Sequence, residues 1–275
     1  MIVLIRGGGD LASGAALRLY RSGIRVAITE LPQPLAVRRW VSFAEAVNRG
    51  EVSVEGVTGR KVTDPTDTLR ILQILSKGQV PVLVDPDAQA ARSLHPTVIV
   101  DARMLKRPPE PLRHTARLYI GLGPGFTAGV DCSAVIETQR GHRLGRVIWQ
   151  GQAESDTGLP EAVGESQDGR VLRAPADGVL HTFAEIGAHL EAGHAVAEVG
   201  SESRSERVVR APFAGVLRGL LPEGMRVTQG MKIGDLDPRD DPRLCSLVSD
   251  KSLAIGGGLL EAILTLPDLR PLIWS

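Results

Sequence analysis

Hydrophobic positions fall into two regimes along the chain. In the first half, short apolar and β-branched runs alternate with stretches of helical spacing; in the second, very short apolar runs are punctuated by glycine. Residues 2–6 (Ile-Val-Leu-Ile-Arg) make the first run, and Leu11, Ala15 and Leu19, with Ala12 and Ala16, then recur at helical spacing until Ser22-Gly23 stops the helix. A second strand, Arg25 to Thr29, ends at Glu30. Ser42 and Glu45 fit a capping box for a short helix up to Asn48, and Glu51 to Glu55 fits a third strand. Asp64-Pro65 reads as the N-cap and first-position proline of a helix through Ile71, Ile74 and Leu75. Pro81 to Val84, Thr97 to Val100 and Arg117 to Ile120 read as further strands, the first two closed by Asp85 and Asp101. This alternation predicts an α/β Rossmann-like domain with a mainly parallel sheet. Its ligand crevice would lie beyond the strand C-termini, around Glu30, Asp85, Asp101 and the loop after Ile120.

The link between the first strand and helix, Gly7-Gly8-Gly9-Asp10-Leu11-Ala12-Ser13-Gly14, has the G-x-G-x-x-A form of a dinucleotide turn. Gly7 permits the tight turn, Gly9 lets a pyrophosphate approach the backbone, and Ala12 lets the helix sit close to the strand. The helix N-terminus then offers N–H groups and a partial positive charge. Glu30 lies 23 positions after Gly7, near the roughly 20 expected of an acid that binds ribose hydroxyls. Such an acid repels a 2′-phosphate, which favours NAD or another adenine nucleotide over NADP. Asp10 is read either as repelling a pyrophosphate or as capping the helix. A second glycine-rich stretch, Gly121 to Gly129, is read either as an anion-binding loop, with Gly123 and Gly125 presenting amides, or as a structural turn. The candidate cofactor site is therefore Gly7, Gly8, Gly9, Asp10, Leu11, Ala12, Glu30, Gly123 and Gly125, with Arg38 and Arg39 as cations for a phosphate or carboxylate. No residue is assigned as catalytic and none as a metal ligand.

Residues 173–200 align without a gap on 210–237, a constant offset of 37. Ala174-Pro175 matches Ala211-Pro212, and Gly178, Gly187 and Gly193 match Gly215, Gly224 and Gly230. A half of this kind cannot bury its apolar face alone, but two facing halves can. The pattern resembles the lipoyl/biotinyl carrier domain, which implies an all-β barrel-sandwich-hybrid fold of two pseudo-symmetric halves. Where the resemblance puts the carrier lysine, this chain has Arg204. A guanidinium stays protonated and is no acyl acceptor, so no covalent biotin or lipoate is expected. The expected organisation is a nucleotide-binding domain over 1–150, a linker over 151–170, the barrel over 171–240, and a C-terminal helical segment over 241–275 that packs back on the body. In that last segment Ser249 to Leu264 reads as a capped helix, whose Gly256-Gly257-Gly258 suggests close packing against another backbone.

Charge narrows the partners. Lys plus Arg and Asp plus Glu are equal at 32 each, so no global field draws the chain to nucleic acid or an acidic membrane. The opening apolar run is too short for a signal peptide or a span. Cys132 and Cys245 form no disulfide framework, which fits a reducing cytoplasm. Cys132 after Asp131 reads as a small buried residue rather than a reactive thiol, and His142, His181, His189 and His194 read as structural or surface histidines.

Several stretches carry a further resemblance: Arg6 to Gly14, the E-L-P-Q-P-L-A-V-R-R run from Glu30 to Arg39, Val41 to Ala46, Gly121 to Gly129, Arg140-Gly141-His142 and Thr157-Gly158. Together they are similar to the YqeB family, named for the selenium-dependent molybdenum hydroxylase system. The resemblance implies a nucleotide-binding accessory protein for making or maintaining molybdenum hydroxylases, with the hydroxylase or its cofactor as partner; a homo-oligomer is compatible with it. It supplies a process and no catalytic residue. An NAD-dependent oxidoreductase and a non-catalytic interaction scaffold with an empty turn stand as alternatives, the former without a Tyr-x-x-x-Lys pair or a paired His and Asp to donate a proton.

Overall fold

The computed structural model describes residues 1–105, 107, 116–155, 170–200 and 207–273. Arg204 and the Thr157-Gly158 pair lie outside them, as does much of the expected linker. The chain divides into two compact units: Met1–Pro34, Val41–Thr157 and Val248–Ser275 form one, Leu35–Trp40 and Gly158–Leu247 the other. The expected C-terminal segment over 241–275 is thus split, its part from Val248 in the first unit and 241–247 in the second, and the short piece from Leu35 to Trp40 belongs to the second.

In the first unit, β1 (Ile2–Arg6) leads to α1 (Asp10–Arg21), β2 (Arg25–Glu30), α2 (Glu45–Arg49), β3 (Glu51–Val54), β4 (Val57–Val62), α3 (Thr68–Ser76) and β5 (Val80–Val84). Then come α4 (Ala91–Leu94), β6 (Val98–Asp101), β7 (Leu118–Leu122), β8 (Thr127–Ala128), β9 (Ala134–Ile136), β10 (Val147–Ile148) and β11 (Gly151–Gln152). Nine of the strands form one sheet in the order β10-β9-β7-β6-β1-β2-β5-β4-β3, and β11 and β8 make a separate antiparallel pair.

This corrects the expected Rossmann-like fold class. The sheet is mixed, because β3 and β10 run antiparallel to β4 and β9 at its two edges. The β3–β4 hairpin turns on Glu55 and Gly56, both at positive φ, as a two-residue turn matched to strand twist requires. The inner strands from β9 to β4 are parallel, and those from β9 to β5 are largely buried on both faces, which explains their apolar runs. Val3, Ile5, Val26 and Ile28 face α1 together with Ile255, Leu259 and Ile263, whereas Leu4, Ala27, Leu83 and Ile99 face Ile71 and Ile74 of α3 and Leu94 of α4.

The second unit holds β12 (Val171–Arg173), β13 (Gly178–Thr182), β14 (His189–Leu190), β15 (Ala195–Gly200), β16 (Arg207–Arg210), β17 (Gly215–Leu220), β18 (Arg226–Val227) and β19 (Lys232–Asp237). The sequence offset of 37 carries over to the elements: β13, β14 and β15 start where β17, β18 and β19 do, displaced by that number. The expected barrel-sandwich hybrid is nevertheless corrected to two separate four-stranded antiparallel sheets, β12-β19-β17-β14 and β16-β15-β13-β18. The halves exchange a short strand: β14 pairs with β17 and β18 with β13. Leu180, Leu190, Val196 and Val199 from one half then share a single core with Leu217, Val227, Ile233 and Leu236 from the other.

After this unit, Ser249 caps α5 (Asp250–Thr265), its side chain accepting from the Ser252 amide, as the sequence predicts. Two of the three glycines of α5, Gly256 and Gly258, are explained by packing. A Cβ on Gly256 would stand 3.1 Å from Ala15 Cα, and one on Gly258 would run into the Gly145 carbonyl. Two other helix starts differ from expectation. The N-cap of α2 is Ala44, not Ser42, and that of α3 is Asp67, which accepts from the Arg70 amide; Asp64 instead holds the Thr66 amide in the preceding turn. No helix of the described residues is long and apolar enough to cross a membrane.

Candidate functional site

The sheet order reverses at β1: β2 lies on one side and β6 on the other. Such a switch point opens a crevice beyond the strand C-termini, and the glycine turn lies there. Gly7, at φ +90, donates its amide to the Thr29 carbonyl at 2.8 Å, so the turn continues the β1–β2 ladder. Gly8 is buried. Its carbonyl accepts from the Ala44 amide at 2.9 Å and the Ser13 hydroxyl at 3.0 Å, and a Cβ there would stand 3.0 Å from the Ala44 nitrogen. The Ser13 hydroxyl in turn accepts from the Phe43 amide at 2.8 Å, clamping residues 43–44 over the turn. Gly9 is different. It has φ −65 and ψ −180, which any residue adopts, and among the described residues no atom beyond its chain neighbours lies within 4 Å of where its Cβ would stand.

Two carboxylates sit at this helix N-terminus. Glu30, at the end of β2, accepts from the Gly8 amide and the Leu31 amide, each at 2.7 Å. Burial pushes its carboxyl above the ordinary range, opposed by those two amides. Asp10 accepts from the Leu11 amide at 3.0 Å, as a first-turn acid does. Ala12 is buried, so its small side chain lets α1 approach the sheet.

A neighbouring buried cluster occupies the ends of β1 and β6, where Arg6 and Asp101 are register partners. Asp101 receives Arg103 Nη2 at 2.7 Å, Tyr119 Oη at 3.2 Å and Arg6 Nη1 at 3.3 Å, while Arg6 Nε has no hydrogen-bond partner among the described residues. Burial, then the Asp101 charge, raise the Tyr119 phenol well above its usual value, so it keeps its proton. Arg6, Arg103 and Tyr119 were not among the predicted site residues. The signal was an arginine closing an apolar strand opposite an aspartate closing its neighbour.

The other predicted positions are occupied structurally. Asp85 accepts from the Gln89 and Ala90 amides and so fixes the turn that leads into α4. Gly123 and Gly125 both have positive φ; a Cβ would strike the Thr138 hydroxyl at the first and stand 2.6 Å from the Arg107 carbonyl at the second. The Gly123 amide is spent on the Ile136 carbonyl, which supports the structural-turn reading of this loop. Arg38 and Arg39 fall in the second unit, where Arg38 donates to the Leu244 and Leu247 carbonyls and Arg39 to that of Leu220. The structure does not bring them together with the glycine turn within one unit.

Cys132 is buried; burial first, then the charges of Asp131 and Asp101, push its thiol up to about 11. His142 is exposed. His181 and His189 have acid partners that their own sequence neighbourhood does not supply: Glu223 at 2.9 Å and Asp240 at 2.5 Å. Among the described residues no group of three or more His, Cys, Asp or Glu is placed to hold a metal.

An open α/β sheet with a glycine turn and an acid at its switch point, joined to a duplicated β unit, defines the class of protein. Within it, the chain is 44% identical over 265 residues to "Uncharacterized protein YqeB" of Escherichia coli strain K12, which takes in 96% of the chain. That relationship supports the YqeB-family resemblance along nearly the whole sequence. The chain spans about half, 48%, of the length of this relative. No family model matches. Similar solved structures include an aspartoacylase family protein from Mesorhizobium loti (14% identity, 87% of this chain and 86% of that one, TM-score 0.31). Another is a succinylglutamate desuccinylase/aspartoacylase from Rhodobacter sphaeroides (15% identity, 87% and 86%, TM-score 0.28). Likenesses this loose carry no argument.

Proposed function

We propose that this chain is a cytoplasmic nucleotide-binding accessory protein for the maturation or maintenance of selenium-dependent molybdenum hydroxylases. NAD or another adenine nucleotide would lie at the turn from Gly7 to Ala12, its ribose hydroxyls toward Glu30. Gly9 carries the binding part of this reading. The fold requires glycine at Gly7 for its φ, at Gly8 because of Ala44 and at Gly14 because of Ser252. It makes no such demand at Gly9, whose open Cβ side lies at the N-terminus of α1. A side-chain-free position there suits close approach of a phosphate to the backbone. The process rests on the family motifs and on the relationship to YqeB.

A scaffold with an empty turn is the second reading. Glu30 and Asp10 favour it, because they already hold the Gly8 and Leu11 amides that an anion would seek. Calorimetric titration with NAD, ATP and a molybdopterin nucleotide, together with native mass spectrometry of freshly purified protein, separates the two. The accessory-protein reading expects saturable binding of at least one; a scaffold binds none.

A further inference from the structure

A second concavity lies at the opposite strand ends of the same sheet. A hollow of about 360 Å³ is lined by Arg60, Arg70, Gln73, Ile74, Lys77 and Gln79, a volume at the lower end of small-ligand sites. It lies by the N-terminal end of β5, whereas the glycine turn lies beyond the C-terminal ends. Buried Ile74 makes an apolar floor, and the rim is three cations and two amides.

Arg60 is held in place from two sides. Its Nε donates to Gln79 Oε1 at 2.9 Å and its Nη2 meets Glu51 at 3.0 Å. Gln79 thus spends its carbonyl on the arginine and keeps its NH₂ to donate. Glu51 neutralises one charge, which leaves two on the rim. Arg70, Gln73 and Lys77 are spaced i, i+3 and i+7 and so share one face of α3. Lys77, at the C-cap of α3, fits the helix dipole there. Arg70 does not: it stands in the first turn, where the dipole disfavours a cation, and the N-cap carboxylate of Asp67 is engaged by the Arg70 amide. Two cations on one helix face, beside a pre-positioned third and around a hollow with an apolar floor, are complementary to an anion between them.

We infer that this hollow binds a small polyanion, through Arg60, Arg70 and Lys77 with the Gln73 and Gln79 amides. The inference is independent of the glycine turn. It is tested by titrating the full chain with pyrophosphate and, separately, with citrate at low salt, which distinguishes phosphate from polycarboxylate chemistry. At least one probe should bind saturably and lose affinity steeply as salt rises. Arg70→Ala/Lys77→Ala, at two exposed positions, should weaken binding at least tenfold with an unchanged melting temperature, and Gly9→Ser should leave it intact. The proposal is overturned if neither probe binds, if the double variant binds as the parent does, or if Gly9→Ser abolishes binding and so moves the site to the glycine turn.

Discussion

Replacing Gly257 by alanine should stabilise the chain, whereas the same change at its neighbours Gly256 and Gly258 should weaken it. All three lie inside α5, so each substitution gains the same intrinsic helix preference of about 0.8–1 kcal/mol. They differ in what the new methyl group meets. At Gly257 nothing lies within 4 Å, and the gain is realised in full. At Gly256 the methyl would stand 2.7 Å from Arg18 Cγ, which can move, and 3.1 Å from Ala15 Cα, which cannot without shifting α1. At Gly258 it would overlap the Gly145 carbonyl oxygen and stand 3.0 Å from Ile136 Cγ2. Gly145 is itself held at positive φ against Ala254. Overpacking of this kind costs about 1–3 kcal/mol. Set against the helix gain, the net loss is about 0–2 kcal/mol at Gly256 and lies toward the upper end of that range at Gly258. Urea unfolding with an unchanged m-value measures all three. A common sign for the three variants would refute the claim that close backbone approach, rather than flexibility, explains Gly256 and Gly258.

In the second unit, burial alone would raise Asp235, but Lys232, Arg218 and Arg170 outweigh it and hold its carboxyl below the ordinary range; Arg239 and Arg218 outweigh burial for Asp237 in the same way. Their contribution to stability is therefore present above the unfolded carboxylate pKa and lost as pH falls through the folded values. An acid titration followed by circular dichroism should show it, and Asp235→Asn should cost about 3–5 kcal/mol at pH 7 by stranding buried guanidinium groups. Glu30 has the opposite sign: its raised carboxyl makes stability fall as pH rises above the ordinary carboxylate value, and Glu30→Gln should flatten that slope in a pH series of urea midpoints. Cys132 and Cys245 are both buried thiols raised by burial. Neither should react with iodoacetamide at neutral pH until urea unfolds the chain; fast labelling of the native protein would contradict this.

Much of the architecture can be read from pattern alone. The inner strands, α1, α5 and the 37-residue repeat follow from apolar spacing and capping residues. Edges and unit boundaries do not. The strand Val57–Val62 has polar positions at Thr58, Arg60 and Lys61, so its apolar signal is weak; the Glu55-Gly56 turn was the available clue to the hairpin. The excursion of Leu35–Trp40 into the second unit rests on contacts far along the chain, such as the Leu220 amide on the Val37 carbonyl. No local period encodes such a contact, so Arg38 and Arg39 could be placed at the glycine turn only by sequence proximity. Around the turn itself, spacing located Gly7, Gly9, Ala12 and Glu30, but not that Glu30 would fold back onto the Gly8 amide.

The central claim, that the turn at Gly9 holds a nucleotide, is tested most directly by Gly9→Ser. Serine is at least as good an N-cap as glycine, and there is room for its side chain, so the melting temperature should stay level or rise. Calorimetry of the parent chain with NAD and ATP should find saturable binding of at least one, and the variant should bind it at least tenfold more weakly. Failure of the parent to bind either, or equal affinity in the variant, would contradict the account.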